Sequence, residues 1–431
     1  NNENMFYFEL FYDTPNIEAV CVDSLEILEQ WESFIIDNLG DAVVTTYCSF
    51  SPAQKNTIEG EIKYQADNDC NDASAFALPN TMVKSITSGN SSATFTDSQG
   101  EFLLYTPDGL NTAYAQSELP PYFTTSPGSH IFDFEGFDNI GVANYCMSSN
   151  QTINDLNVMI FPTQMARPGF PATYIIVYEN MGTTTISGEV TLEFDDAMQS
   201  FTEAVPAETS ATGNTLTFQF TDLQPLQNAE IEVEMLTFTP PTVNGGDELN
   251  FNVNISPNSD DHTPNNNDFH YVQTVVNSFD PNDKTVLEGP EITLEDAGGY
   301  LHYMIRFQNT GTASAVNVVV ADTLSSQLNW DSMRMVSASH DHRVQITNDN
   351  FVEFIFEGID LPHEAADEAG SNGYVVYKIK PIDGLEVGDV IEGLEAGIYF
   401  DFNSPIITNE ADTEIVNNLS THFFEFEKSI N

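Results

Sequence analysis

The chain has 431 residues, 41% of them hydrophobic, which is enough for about three domains with real cores and excludes global disorder. Eleven Lys plus Arg stand against 66 Asp plus Glu, a formal net charge of −55. That field repels nucleic acid and anionic lipid and attracts cations, with carboxylates of the kind calcium prefers; no run approaches the roughly 20 apolar residues of a membrane span.

Residues 1–50 carry the one clear helix signal. A short strand is expected over 16–23, and Asp23-Ser24-Leu25-Glu26 then forms a capping-box-like start, because Asp23 can accept from the free amides of a first turn. Leu25, Leu28, Trp31 and Ile35 follow at helical spacing, Gly40 can close the helix, and a second strand runs from Val43 to Phe50. Such a small αβ unit cannot bury both of its faces alone.

From 51 to 162 the pattern changes to short alternating strands, as in Thr57–Tyr64 and Ala93–Leu104, separated by Gly, Asn and Ser; period two with such breaks indicates a β-sandwich. Within it, Asp67, Asp69 and Asp72 alternate on one turn and can converge on a calcium ion, although the turn lacks the Gly and the distant Glu of an EF-hand; the competing reading is a plain Asx-rich turn. Cys21, Cys48, Cys70 and Cys146 form an even set compatible with two disulfides in an oxidising compartment. The nearest pairs, Cys21–Cys48 and Cys70–Cys146, each bracket one module and are the expected bridges; four buried thiols are the alternative. No Cys-x-x-Cys occurs, which argues against zinc.

Residues 163–277 and 278–416 read as two copies of one β domain. Tyr174–Thr183 and Leu301–Thr312 share an Asn-x-Gly-Thr turn, with Asn180 and Asn309 separated by 309 − 180 = 129 residues. Asn-x-Gly is turn chemistry, since both residues tolerate positive φ. About seven strands per copy suggest immunoglobulin-like sandwiches, so the expected class is mainly β: a small αβ cap, then three tandem sandwiches. Asp280, Asn282 and Asp283 lie where the two copies join. Carboxylates there could bind calcium and stiffen the joint, although Asp-Pro-Asn-Asp is also ordinary linker chemistry. Asp260 and Asp261 open another acidic turn, read as a solvated loop. Residues 417–431 read as an exposed tail.

Several words carry a family resemblance. The first unit resembles the C-terminal cap of a leucine-rich-repeat solenoid. Ile58-x-Gly60-x-Ile62-x-Tyr64 followed by Phe95-Thr-Asp-Ser-Gln-Gly-Glu-Phe102 resembles the B-type repeats of bacterial surface proteins, which have a prealbumin-like sandwich. Ser278–Lys284, Ile305–Thr312, Ala321–Leu324 and Ile398–Asn409 resemble the uncharacterised domain near the C-terminus of many secreted Bacteroidota proteins exported by type IX secretion. The resemblance implies export across the outer membrane, an extracellular or cell-surface location, and a sorting domain removed after the tail. Its B-type part supports calcium at Asp67–Asp72. Ser24, Thr323 and Ser332 fall in words matching the O-glycosylation pattern of Bacteroidota export. Surface Ig-like domains sometimes join a first-strand Lys to a last-strand Asn by an isopeptide bond, which singles out Lys284 and Asn409.

No catalytic constellation accompanies these words. Gly-x-Ser-x-Gly, His-Glu-x-x-His and phosphate loops are missing, His340 and His342 lack a third zinc ligand, and with 66 carboxylates chance acidic pairs are inevitable. Trp31 and Trp330 are too few for an obvious sugar platform. The expected function is a non-enzymatic exported structural or surface protein, a calcium-stabilised stalk, fibre or surface-layer subunit, whose partners are other extracellular proteins, copies of itself, or glycans. An adhesin, or the stalk of a larger secreted enzyme, is the alternative.

Overall fold

The computed structural model describes residues 19–21, 43–45, 55–115, 119–277, 280–401 and 403–417. These are overwhelmingly β, as the alternating pattern requires, with only two short 3-10 turns as helical elements. Strand Ala19–Cys21 pairs in parallel with Val43–Thr45. The helix expected between them, and with it the proposed cap, lies outside the described residues.

The remaining strands fall into three groups in chain order. The first, from Asn56–Tyr64 to Tyr145–Ser149, packs the sheet around Asn56–Tyr64 against strands His130–Phe134, Gly109–Ala115, Met82–Ile86 and Ser91–Phe95. Its core holds Ile58, Ile62, Leu104 and Tyr145. The second lays Leu156–Pro162, Pro171–Asn180, Asn228–Thr237 and Gln199–Val205 over a five-stranded sheet centred on Ile186–Phe194, around Tyr174, Val190, Val233 and Phe251. The strand just before the boundary expected at 162/163 runs across it in its pairing. Leu156–Pro162 is fully paired with Pro171–Asn180 and belongs to the second group. The third group places the sheet Asp283–Val286, Leu301–Gln308, Asn372–Pro381 and Leu328–Ala338 against strands that include Val318–Thr323 and Phe351–Phe356, around Tyr303, Phe307, Phe354 and Tyr377.

The groups are not independent. Ser91–Phe95 of the first pairs antiparallel with Arg343–Thr347 of the third, with Thr94 opposite Gln345, so two half-sheets fuse into one of nine strands. Met82, Ala93 and Phe95 join the core of the third group, while Leu287, Met304, Val336 and Val376 of the third join the core of the second. Ile153 and Leu226 of the second pack on the core of the first. Each group thus touches both others through buried apolar surface, the non-directional contribution expected to dominate cohesion.

The two Asn-x-Gly-Thr turns do the same structural work. Asn180 is fully buried; its Nδ2 donates to the carbonyls of Thr184 (2.7 Å) and Leu223 (2.9 Å), and its Oδ1 accepts from Gly182 N–H at 3.0 Å. Asn309 repeats this with Ala313 (2.9 Å), Leu361 (3.0 Å) and Gly311 (3.0 Å). Positive φ is not what these turns need, since Asn180, Gly182, Asn309 and Gly311 all lie outside that region. The amide supplies both donor and acceptor, which joins the turn to a segment distant in sequence. Gly182 is required for space: a Cβ there would sit 2.5 Å from the Ile153 carbonyl oxygen.

Candidate functional sites at the joints

The acidic turn after Asn56–Tyr64 is exposed, and its carboxylates serve their own backbone. Asp67 accepts from Asp69 N–H (3.2 Å), Asp69 from Asn71 N–H (3.2 Å), and Asp72 from Ser74 N–H (2.8 Å). Hydrogen bonds from the Ser74 hydroxyl and amide hold the Asp72 carboxyl below its ordinary range. Cys70, within this turn, is bonded to Cys146 with an S–S distance of 2.00 Å. Cys48 and Ser24 lie outside the described residues, and so does the expected Cys21–Cys48 bridge.

Asp280, Asn282 and Asp283 point to different partners. Asp280 caps Asn282 N–H (2.9 Å), Asn282 Oδ1 accepts from Gln308 N–H (3.1 Å), and both Asp283 oxygens are held by Arg306, whose Nε lies 2.7 Å away. The three serve the start of the first strand of the third group, each through a different partner. Among the described residues, no three His, Cys, Asp or Glu side chains form a cluster fit to hold a metal ion.

Lys284 and Asn409 do meet, but through the main chain of the lysine. Asn409 Oδ1 accepts from Lys284 N–H (3.1 Å) and its Nδ2 donates to the Lys284 carbonyl (2.9 Å), so the carboxamide acts as a short strand partner. The ammonium goes elsewhere, to Asp322 Oδ1 at 2.6 Å and the Leu394 carbonyl at 2.9 Å. Tyr377 donates to the other Asp322 oxygen at 2.7 Å, and burial beside that carboxylate pushes the phenol well above its usual value. The isopeptide considered for Lys284 and Asn409 lacks its geometry here, because Nζ faces a carboxylate on another strand. Thr323 ends strand Val318–Thr323, half-buried. Ser332 is fully buried, donating to the Asn329 carbonyl (2.6 Å) and accepting from Lys380 N–H (2.8 Å), so its hydroxyl is not offered to a glycan. His342 directs Nδ1 to the His340 carbonyl (3.2 Å), and burial lowers both histidines from their ordinary values.

Scarce cations instead occupy the joints. Lys84 Nζ of the first group reaches Asp331 Oδ1 of the third at 2.7 Å and lies 5.4 Å from the Trp330 ring centroid. Lys378 of the third forms a nearly buried ion pair with Glu179 of the second, and Asn157 donates to the same Glu179 oxygen at 3.0 Å. Burial alone would raise the Glu179 carboxyl; the charge and hydrogen bond of Lys378, with Arg334 and Asn157, outweigh it and hold it below its ordinary range. Between the first and second groups, Tyr122 Oη lies 3.1 Å from Asp155 Oδ2 and 3.2 Å from the Met181 carbonyl. Burial and the Asp261 charge raise the Asp155 carboxyl. Sequence reasoning passed over Glu179, Lys378 and Asp155 because none lies in a charge run or in a metal-binding or catalytic motif.

A protein-family model described as a domain of unknown function (DUF7619) matches residues 280–414, within the third group. No curated protein matches the chain. Among solved structures, similarity is found to the CARDB domain of the PF1109 protein of Pyrococcus furiosus, solved in complex with di-metal ions: 18% identity over 30% of this chain and 95% of that one, TM-score 0.21. A DUF3823 family protein from Parabacteroides merdae aligns at 12% identity over 52% of this chain and 99% of that one, TM-score 0.19. The collagen adhesin of S. aureus aligns at 10% over 62% and 93%, TM-score 0.22. At these scores a shared fold does not follow, and the architecture rests on the sheets themselves.

Proposed function

We propose that the chain is a non-enzymatic structural protein of a cell surface or extracellular layer, whose β units are locked into one stiff block. The observation that carries this reading is the fused nine-stranded sheet: its seam joins strands some 250 residues apart in sequence, Thr94 to Gln345 being 345 − 94 = 251. A unit built to present or space other modules benefits from such a seam, because relative domain motion is the default unless an interface is large and apolar. We read the first group as a B-type, prealbumin-like sandwich and the other two as Ig-like, and place the protein outside the cell after export across the outer membrane. The Cys70–Cys146 bridge supports an oxidising compartment, and the matched domain at 280–414 coincides with the words that resemble secreted Bacteroidota proteins. Calcium is proposed to add stiffness, in keeping with the acidic charge.

One observation favours an adhesin as the second reading. Ile131, Thr112 and Ile86 lie in register across three adjacent strands at the free edge of the nine-stranded sheet; Ile131 is 67% and Ile86 44% exposed, and nearby Leu110 is 59% exposed. Such an apolar stripe can serve recognition. An array of extracellular proteins and glycans separates the readings: a structural block leaves it blank, and a saturable, specific ligand moves the assignment to adhesin. Turnover in a panel of hydrolase substrates contradicts both.

A further inference from the structure

The turn 260–268, expected to be a solvated loop, is anchored in the joint between the first and second groups. Asp261 forms an isolated bridge with Asn154, and its side chain organises the region: Oδ2 accepts from Leu156 N–H (2.8 Å) and Asn267 Nδ2 (3.2 Å), and Oδ1 from Thr263 N–H (2.9 Å). Asn267 is fully buried and Asp155 is 4% exposed. Both present an oxygen with no hydrogen-bond partner, Asp155 Oδ1 and Asn267 Oδ1, and the Oδ1 of Asn266, next in the chain to Asn267, is also unpartnered. The Asn267 amide is oriented by its Nδ2 bond to Asp261. Unpaired buried acceptors cost free energy unless a donor or cation meets them.

We propose that Asp155, Asp261, Asn266 and Asn267 form a calcium site at this joint. The oxygen-only donor set and the absence of sulfur or imidazole among these four residues fit a hard cation such as Ca²⁺ over zinc or copper. Two carboxylates balance the double charge, and two amide oxygens plus solvent fill the remaining positions of a six- to eight-oxygen shell. The cation relieves the mutual repulsion of Asp155 and Asp261 and meets the three orphaned oxygens. Tyr122, with its hydroxyl 3.1 Å from Asp155 Oδ2 and its ring edge-on to His262 at 5.6 Å, couples the site to the first group. The site shares no residue with the acidic turns at Asp67–Asp72 or Asp280–Asp283, and stands whether or not the chain is a surface protein.

The test is calcium titration of the full chain by calorimetry at neutral pH, with Tb³⁺ luminescence excited through tyrosine as a local reporter. The expected result is one strong Ca²⁺ site, weakened at least about tenfold in Asp155→Asn. Calcium-displaceable Tb³⁺ emission should be lost in Tyr122→Phe, while saturable Ca²⁺ binding is still seen by calorimetry. Should Asp155→Asn fail to fold, the Tyr122→Phe comparison decides alone. No saturable binding, equal affinity in Asp155→Asn and wild type, or undiminished emission in Tyr122→Phe overturns the proposal.

Discussion

Asn180 and Asn309 each hold a turn to a segment distant in sequence with one carboxamide, and each satisfies two carbonyls and one amide. Removing the side chain leaves those groups unpaired, some of them buried. Asn180→Ala or Asn309→Ala is therefore expected to lose about 2–4 kcal/mol in denaturant titration, and Asn→Asp no less, because it turns a donor into an acceptor facing two carbonyls. A loss under about 0.5 kcal/mol contradicts this role. The Lys284–Asp322 pair makes a different prediction. Both side chains are essentially excluded from water, at 2% and 0% exposure. Lys284→Met strands a buried carboxylate and should cost about 3–5 kcal/mol. The double variant Lys284→Met/Asp322→Leu should recover much of that loss, because a well-packed apolar pair avoids the desolvation cost of the ions. Equal losses in the single and double variants argue against a buried pair. Intact mass of the native chain should show no mass deficit from a Lys284–Asn409 cross-link.

At the scale of strands, the seam between Ser91–Phe95 and Arg343–Thr347 can be trapped covalently. Thr94 and Gln345 are directly opposed, and opposed antiparallel residues have Cα separations of about 4.5–5.5 Å, inside the range a disulfide spans. Thr94→Cys/Gln345→Cys should oxidise to an intrachain bridge, seen by peptide mapping; dimers, or persistently free thiols, contradict the pairing. The joint made by Glu179 and Lys378 has a pH signature. The folded carboxyl sits below its ordinary value, so its contribution is present above an unfolded pKa of about 4.3 and fades as pH falls through the folded value. The difference in Tm between wild type and Glu179→Gln should therefore be seen at neutral pH and shrink below about pH 4. A difference independent of pH assigns the effect to packing instead.

Alternation of polar and apolar residues was enough to read most of this chain as β, because one face of each strand must be buried, as in Glu248–Ser256, where every second side chain is inside. The seam was not legible. Period two reports which face is buried and says nothing of which edge pairs with which, and Ser91–Phe95 lies hundreds of residues from its partner. Strand Leu156–Pro162 escaped assignment for a related reason: with both faces covered it reads as a plain apolar run, without the alternation that would tie it to one sheet. Acidic runs misdirected the search for sites because sequence reports charge and not burial. Asp67, Asp69 and Asp72 face water, while Asp155 and Asn267, 267 − 155 = 112 residues apart, carry the orphaned oxygens. The signal for the latter was the Asn-rich end of the 260–268 turn, since buried amides require partners.

Over the whole molecule, eleven basic residues sit in a field of 66 acidic ones, and two of the cations close joints between strand groups. Three contacts tie three groups pairwise, so no group can swing without breaking two joints. A string of domains joined only to sequence neighbours would lack the contact between the first and third groups. Small-angle X-ray scattering of the full chain tests this most directly. A single compact body of 431 residues has a radius of gyration of about 22 Å, and three mutually touching groups should give about 22–27 Å. A value of about 35 Å or more, as for three domains in line, contradicts the locked block.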